Sequence, residues 1–262
     1  MPYVTSDGVR IYWEEIGSGP PLLLIMGLGY SHEMWHRTAP LLSQHFRTIL
    51  FDNRGVGKSD VPPGPYPIAT MAADAATVLD AAGVDKADVY GVSMGGMIAQ
   101  EFALQYPNRV KKLILGCTAA GGPTAVRADQ EVNQALMARG TMTIEDGIRL
   151  MVPYIYDSST PQARIDEDLA IRRVTFPKAE AYTAQLLGII AWESYSRLDQ
   201  IHAPTLVIHG ETDRLVPPGN GRLVAERIAG SKLVMLPHAS HLYTTDQPDV
   251  SHQLVLDFLK QA

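Results

Sequence analysis

Gly91-Val92-Ser93-Met94-Gly95 constrains this chain more than any other stretch. The residues before it, Ala87-Asp88-Val89-Tyr90, read as a short buried strand. Those after it, Gly96-Met97-Ile98-Ala99-Gln100-Glu101-Phe102-Ala103-Leu104, read as a helix. A serine between two glycines at a strand-to-helix turn has its hydroxyl exposed on a sharp, strained corner. Gly91 and Gly95 let neighbouring backbone pass close to that corner. The following helix aims its first amides and its positive dipole end at the same point. The plain alternative is a glycine-rich turn with an incidental serine; the strand before and the helix after favour a nucleophile at Ser93.

The rest of the chain supplies the sheet such a corner needs. Val9–Ile16, Pro21–Met26 and Phe46–Phe51 read as strands, and Ile68–Ala82 as a helix stopped by Gly83. Glu33–Gln44 also reads as helix. A strand near 110–115 follows the Ser93 helix. After Gly121-Gly122-Pro123 the pattern changes to helical segments without buried strands: Arg127–Arg139, Ile144–Met151, Gln162–Arg173 and Ala179–Ile190. Alternation returns with strand Thr205–His209, helix Asn220–Ile228, strand Lys232–Leu236 and helix Pro248–Lys260. Strands alternating with helices predict an α/β fold with a mainly parallel sheet covered on both faces. The organisation expected is a core of residues 1–123 and 199–262, with residues 124–198 inserted as a helical cap over the carboxyl ends of the strands.

Composition excludes several classes. The 262 residues are 46% hydrophobic and 19% charged, which describes an ordinary globular protein. The net charge of −6 and the absence of a basic run argue against a nucleic-acid partner. The N-terminal residues do not read as a signal peptide, and no apolar run approaches the ~20 residues of a membrane helix. Cys117 is the one cysteine, so no internal disulfide can form; it reads as a buried structural thiol in a reducing, cytoplasmic setting. Oligomeric state is not legible.

A serine hydroxyl needs a base to take its proton, and the base needs a third group to orient it. Two segments after apolar runs offer these. One is His209-Gly210-Glu211-Thr212-Asp213, the other Pro237-His238-Ala239-Ser240-His241-Leu242. Glu211 competes with Asp213 as the acid, and His238 with His241 as the base. His209 lies within the apolar strand and reads as a core histidine. Gly55-Val56-Gly57-Lys58-Ser59 is similar to the tail of a phosphate-binding loop but lacks its first glycine, and no metal-ligand spacing is present.

Five pieces in order carry a resemblance to the α/β-hydrolase family: Met26-Gly27-Leu28-Gly29, Phe51-Asp52-Asn53-Arg54-Gly55-Val56-Gly57-Lys58-Ser59, the Ser93 corner, Gly210-Glu211-Thr212-Asp213 and Ala239-Ser240-His241. The resemblance covers nearly the whole chain. It implies an eight-stranded, mostly parallel sheet with a helical cap. It also implies Ser93 as nucleophile, Asp213 as acid and His241 as base, with the amides of Leu28 and Met94 as the oxyanion hole. Asp52 and Arg54 take structural roles by the same resemblance. Many members carry His-Gly where this chain has Met26-Gly27, which leaves open what orients that loop.

The reaction this implies is two-step acyl transfer without a cofactor or metal, on a small-molecule ester. Candidate pocket residues are Met26, Leu28, Tyr30, Trp35, Met94, Met97 and Leu242. The cap adds Met142, Met151, Tyr154, Tyr156, Leu187, Ile190 and Trp192. Together they describe an apolar site for small to medium uncharged esters, and carboxylesterase activity is the expectation. Lactone or enol-lactone hydrolysis, cofactor-free haloperoxidase-like perhydrolysis and carbon–carbon bond hydrolysis are the alternatives on the same fold. A small-molecule receptor that keeps a slow triad is the alternative from another class.

Overall fold

The central strands carry runs of apolar residues, and successive side chains of a strand point to opposite faces. Leu22 and Leu24 of β3 (Pro21–Ile25) join Leu50, Tyr90, Ile114 and Leu206 in one buried layer. Leu23 and Ile25 join Ile49, Val89, Leu113 and Val207 in the other. Such strands must be covered on both faces. The structure, a computed structural model that describes residues 2–261, covers them; residues 1 and 262, the ends of the expected core, lie outside the described residues.

The sheet adds β1 (Tyr3–Ser6), β2 (Val9–Ile16), β4 (Arg47–Phe51), β5 (Ala87–Val92), β6 (Val110–Gly116), β7 (Thr205–Gly210) and β8 (Lys232–Leu236), in the order β1-β2-β4-β3-β5-β6-β7-β8. The pairs β1–β2 and β2–β4 are antiparallel and the rest parallel. This is the expected eight-stranded, mostly parallel sheet. Sequence periodicity does not pick out β1, because only Ser6 of its four residues is buried.

Helices α2 (Ile68–Ala81), α3 (Met94–Gln105) and α8 (Gly219–Arg227) supply Met71, Ile98, Phe102 and Val224 to one layer. Helix α1 (Ala39–Leu42), the short α9 (Tyr243–Asp246) and α10 (Pro248–Lys260) supply Leu42, Tyr243, Val255 and Phe258 to the other. The helix expected over Glu33–Gln44 is instead a 3₁₀ turn at His32–Trp35 followed by the single turn of α1. Pro40 is the cause: it has no amide to donate and restricts the residue before it, so a helix starts there rather than running through.

Between β6 and β7 lie α4 (Gln130–Ala138), α5 (Ile144–Ile155), α6 (Gln162–Thr175) and α7 (Ala179–Ile190). Val132, Ile148, Met151, Ile155, Ile165 and Leu169 give this segment a cluster of its own. It leaves and returns at one place, where Gly121 bridges Glu193 and the Ser194 amide donates to the Ala120 carbonyl at 2.8 Å. Among the described residues no helix is long and apolar enough to cross a membrane.

Strand β3 has β4 on one side and β5 on the other, so the direction of sheet growth reverses there. That reversal opens a crevice at the carboxyl ends of β3 and β5. Gly27 and Leu28 follow β3, and Ser93 follows β5.

Candidate active site

Ser93 sits at φ 57° and ψ −124°, a left-handed conformation costly for a residue with a side chain. Its surroundings hold it there. The Ser93 amide donates to the Gly116 carbonyl at 2.8 Å, and its own carbonyl accepts from Thr118 Oγ1 at 2.7 Å and from the Gly96 amide at 2.9 Å. Both flanking glycines are needed for space. A Cβ at position 91 would stand 2.1 Å from the Gly95 carbonyl oxygen, and one at position 95 would stand 2.1 Å from the Ile25 carbonyl oxygen.

The loops after β7 and β8 bring Asp213 and His241 to Ser93. Ser93 Oγ lies 3.0 Å from His241 Nε2, and His241 Nδ1 lies 2.8 Å from Asp213 Oδ2. Asp213 and His241 are 3% and 4% exposed, so little water screens the pair. Burial disfavours a charged His241 ring, but the Asp213 carboxylate, with the Cys117 sulfur beside the ring, holds the His241 pKa well above the usual 6.5. Burial also works to raise the Asp213 pKa, and the charge and hydrogen bonds of His241 and His209 reverse it to below the usual value.

Asp213 is held more firmly than sequence indicates. Its Oδ1 accepts the amides of Leu215 at 2.9 Å and Val216 at 2.8 Å. The core histidine His209 places Nε2 2.7 Å from the Val216 carbonyl and 3.3 Å from Asp213 Oδ2. Glu211 is exposed, and His238 is exposed on the β8 loop. Cys117 is buried as expected, at the end of β6, and its side chain faces the same cavity as Ser93 and His241.

The loop after β3 carries Leu28 opposite the start of α3, where Met94 is the first helical residue. Neither amide donates to another group among the described residues. With methionine at position 26, other side chains fasten the loop. Asn53 Nδ2 donates to the Met26 carbonyl at 3.0 Å. Gln185 of α7, fully buried, accepts the Gly29 amide at 2.9 Å and donates to the Arg54 carbonyl at 2.9 Å. Beneath the loop, Asp52 accepts the His32 amide and ring and the Lys58 amide, and Arg54 makes a bidentate pair with Asp74.

Ser93, Tyr30 and His241 are shared by two adjoining cavities, one smaller than the other. Met26, Trp35 and Leu242 line the smaller; Leu28, Met94, Met97 and Met151 line the larger. From the helical segment, Leu136, Arg139, Ile155, Leu186 and Ile189 also face the larger cavity, and Arg139 departs from its apolar character. Several expected pocket residues stand elsewhere. Met142, Leu187 and Ile190 are exposed, Tyr154 donates to Glu131, and Tyr156 donates to Asp168.

Trp192 is a further correction. It lines neither cavity; its buried indole packs in the sheet-side core, and Nε1 donates to Glu101 Oε2 at 2.8 Å. The same carboxylate takes Arg197, so the indole completes a buried polar group rather than contacting substrate. Trp192→Phe is therefore expected to lower unfolding stability by about 1.5–3 kcal/mol in urea titration. Relative rates across ester chain lengths are expected to stay unchanged.

No cluster of residues able to hold a metal ion is present among the described residues. A family model described as the alpha/beta hydrolase fold matches residues 20–141. A protein of Azorhizobium caulinodans named as a carbamate hydrolase, RutD, is 31% identical, with 98% of each chain aligned. Among solved structures, the enol-lactonase of Burkholderia xenovorans LB400 is similar at TM-score 0.86 and 27% identity, covering 99% of this chain and 100% of that one. A thermophilic esterase from Thermogutta terrifontis is similar at TM-score 0.84 and 28% identity, covering 99% and 96%.

Proposed function

The chain belongs to the α/β-hydrolase family, and from that premise we propose that it is a serine hydrolase of carboxylic esters working through an acyl-enzyme. The observation that carries this reading is the relay from Ser93 Oγ through His241 to Asp213, at 3.0 and 2.8 Å, opening on a cavity beside two free amides. Ser93 Oγ attacks the ester carbonyl carbon while His241 Nε2 takes the hydroxyl proton. The carbonyl oxygen gains negative charge and accepts from the Leu28 and Met94 amides, each such donor worth about 3 kcal/mol in the transition state. His241 then gives its proton to the leaving alcohol. Water, deprotonated by the same nitrogen, attacks the acyl carbon and restores Ser93. Asp213 holds Nδ1–H toward itself and stabilises the ring when it is positive.

The two cavity lobes give the acyl and alcohol halves separate places. Residues 124–198 act as the cap that shapes the larger lobe, since α4, α5 and α7 all send side chains into it. A lactone is the second substrate class, because the similar Burkholderia protein is an enol-lactonase and a lactone follows the same steps with a tethered alcohol. The one buried cysteine fits a cytoplasmic setting.

The test is a panel of p-nitrophenyl esters from acetate to octanoate together with several lactones. Turnover of at least one series well above the uncatalysed rate is expected, with a burst of p-nitrophenol equal to the enzyme concentration where deacylation is slow. No turnover of any of them, in protein that keeps its folded circular dichroism, overturns the reading.

A further inference from the structure

Two buried arginines, one of them lining the larger lobe, have no anion partner among the described residues. Arg139, at the end of α4, is 4% exposed and lines the larger lobe with Ser93 and His241; its Nε and Nη2 have no hydrogen-bond partner. Arg172 of α6 is 2% exposed, and Nε, Nη1 and Nη2 are all without a partner. The two lie against Tyr30, with guanidinium carbons 5.9 and 4.9 Å from the ring centroid, and Arg139 also lies over Phe176 and Tyr182 at 5.0 and 4.9 Å.

Aromatic faces offset only part of the cost of burying a charge, and they leave Nε and Nη2 of Arg139 and all three nitrogens of Arg172 without an acceptor among the described residues. Burial, and then the charge of Arg172, depress the Arg139 pKa. Asp168, four residues before Arg172, cannot serve as the anion, because its oxygens already take His36, Arg37, Tyr156 and Thr245. Elsewhere the fold does pair an enclosed arginine: Arg54 donates from Nε and Nη2 to the two oxygens of Asp74. Of Arg139 and Arg172, Arg139 is the one that lines the larger lobe.

We infer that the substrate carries a free carboxylate besides the bond that is cut, and that Arg139, reinforced by Arg172, holds it in the larger lobe. The guanidinium fork matches a carboxylate in plane. The rest of that lobe, including Met97, Leu136, Met151 and Leu186, suits the aliphatic stem between the carboxylate and the reacting carbonyl. A half-ester of a dicarboxylic acid is the simplest such molecule. The inference rests on the ester-hydrolase reading for the bond that breaks, but not for the anion that binds.

Two measurements separate the two ideas. In the first, Ser93→Ala protein is titrated calorimetrically with monomethyl glutarate and with dimethyl glutarate. Binding of the half-ester is expected to be about tenfold tighter or more, since only it offers the charged acceptor. In the second, active protein is given mono-p-nitrophenyl glutarate and its methyl-capped counterpart. The anionic ester is expected to have the higher kcat/KM by a similar factor, carried in KM, and the ratio is expected to collapse toward one in Arg139→Met. If that variant does not fold, the calorimetric comparison still decides. Equal binding of the two probes and equal kcat/KM overturn the carboxylate site while leaving the ester reading intact. Tight half-ester binding with no turnover of either ester does the reverse.

Discussion

Ser93→Ala is expected to lower kcat on the best ester by about 10⁴- to 10⁶-fold. The residual rate would come from the Leu28 and Met94 amides and from binding, neither of which needs the hydroxyl. A fluorophosphonate probe is expected to add once to the parent protein, on the peptide bearing Ser93, and not to the variant. Labelling that persisted would point to another nucleophile, and Cys117, in the same cavity, would be examined first. Folding should not suffer, because among the described residues Ser93 Oγ hydrogen-bonds to His241 alone, whereas its backbone groups hold the turn. The companion Ser93→Gly separates strain from chemistry. Glycine accepts a φ of 57° freely, so this variant is expected to be equally inactive but more stable than the parent by about 1 kcal/mol in chemical denaturation. A loss of stability would mean that the turn at position 93 stores no strain.

The Ser93 corner was legible because sterics leave no other residue at its neighbours: a Cβ at position 91 or 95 collides with main-chain carbonyls. The two loops that carry Asp213 and His241 were legible because each follows an apolar run that reads as a strand, whereas the choice of Asp213 over Glu211 and of His241 over His238 came from the family resemblance. Gln185 was not legible. A single glutamine in a helix breaks no period and belongs to no motif, yet it ties the oxygen-facing loop to α7 across 156 residues of sequence. His209 was recognised as a core residue, but its approach to Asp213 needs the turn at Val216 to be seen. Trp192 reads the same in sequence as a pocket wall or as packing; Glu101, its partner, is remote in the chain. The expectation of a purely apolar site failed at Arg139. Charged residues in an amphipathic segment ordinarily face water, and nothing local marks this one as turned inward.

Asp213→Asn is the second large effect, and the hydrogen-bond directions around the acid predict its form. Asp213 Oδ1 accepts two amides, from Leu215 and Val216. An asparagine keeps those bonds only by placing its oxygen there, which turns its NH₂ toward His241 Nδ1. That nitrogen must then accept, so the ring proton moves to Nε2 and the ring can no longer take the Ser93 proton. A loss in kcat of roughly 10⁴-fold is expected, the size the same change has in a serine protease. The pH profile supplies an independent check. In the parent, Asp213 holds the His241 pKa well above 6.5, and only the neutral ring is a base. The acid limb of kcat/KM is therefore expected to rise with pH through a midpoint above 6.5. Without the carboxylate, burial disfavours the ring's charge with the Cys117 sulfur left to oppose it, so the limb of the residual activity should move to lower pH. Glu211→Gln, at an exposed site with no bond to His241, is expected to retain activity within about twofold and to leave the limb in place. If the two variants exchanged behaviour, Glu211 would be the acid and the position of His241 against Asp213 would have no part in the reaction.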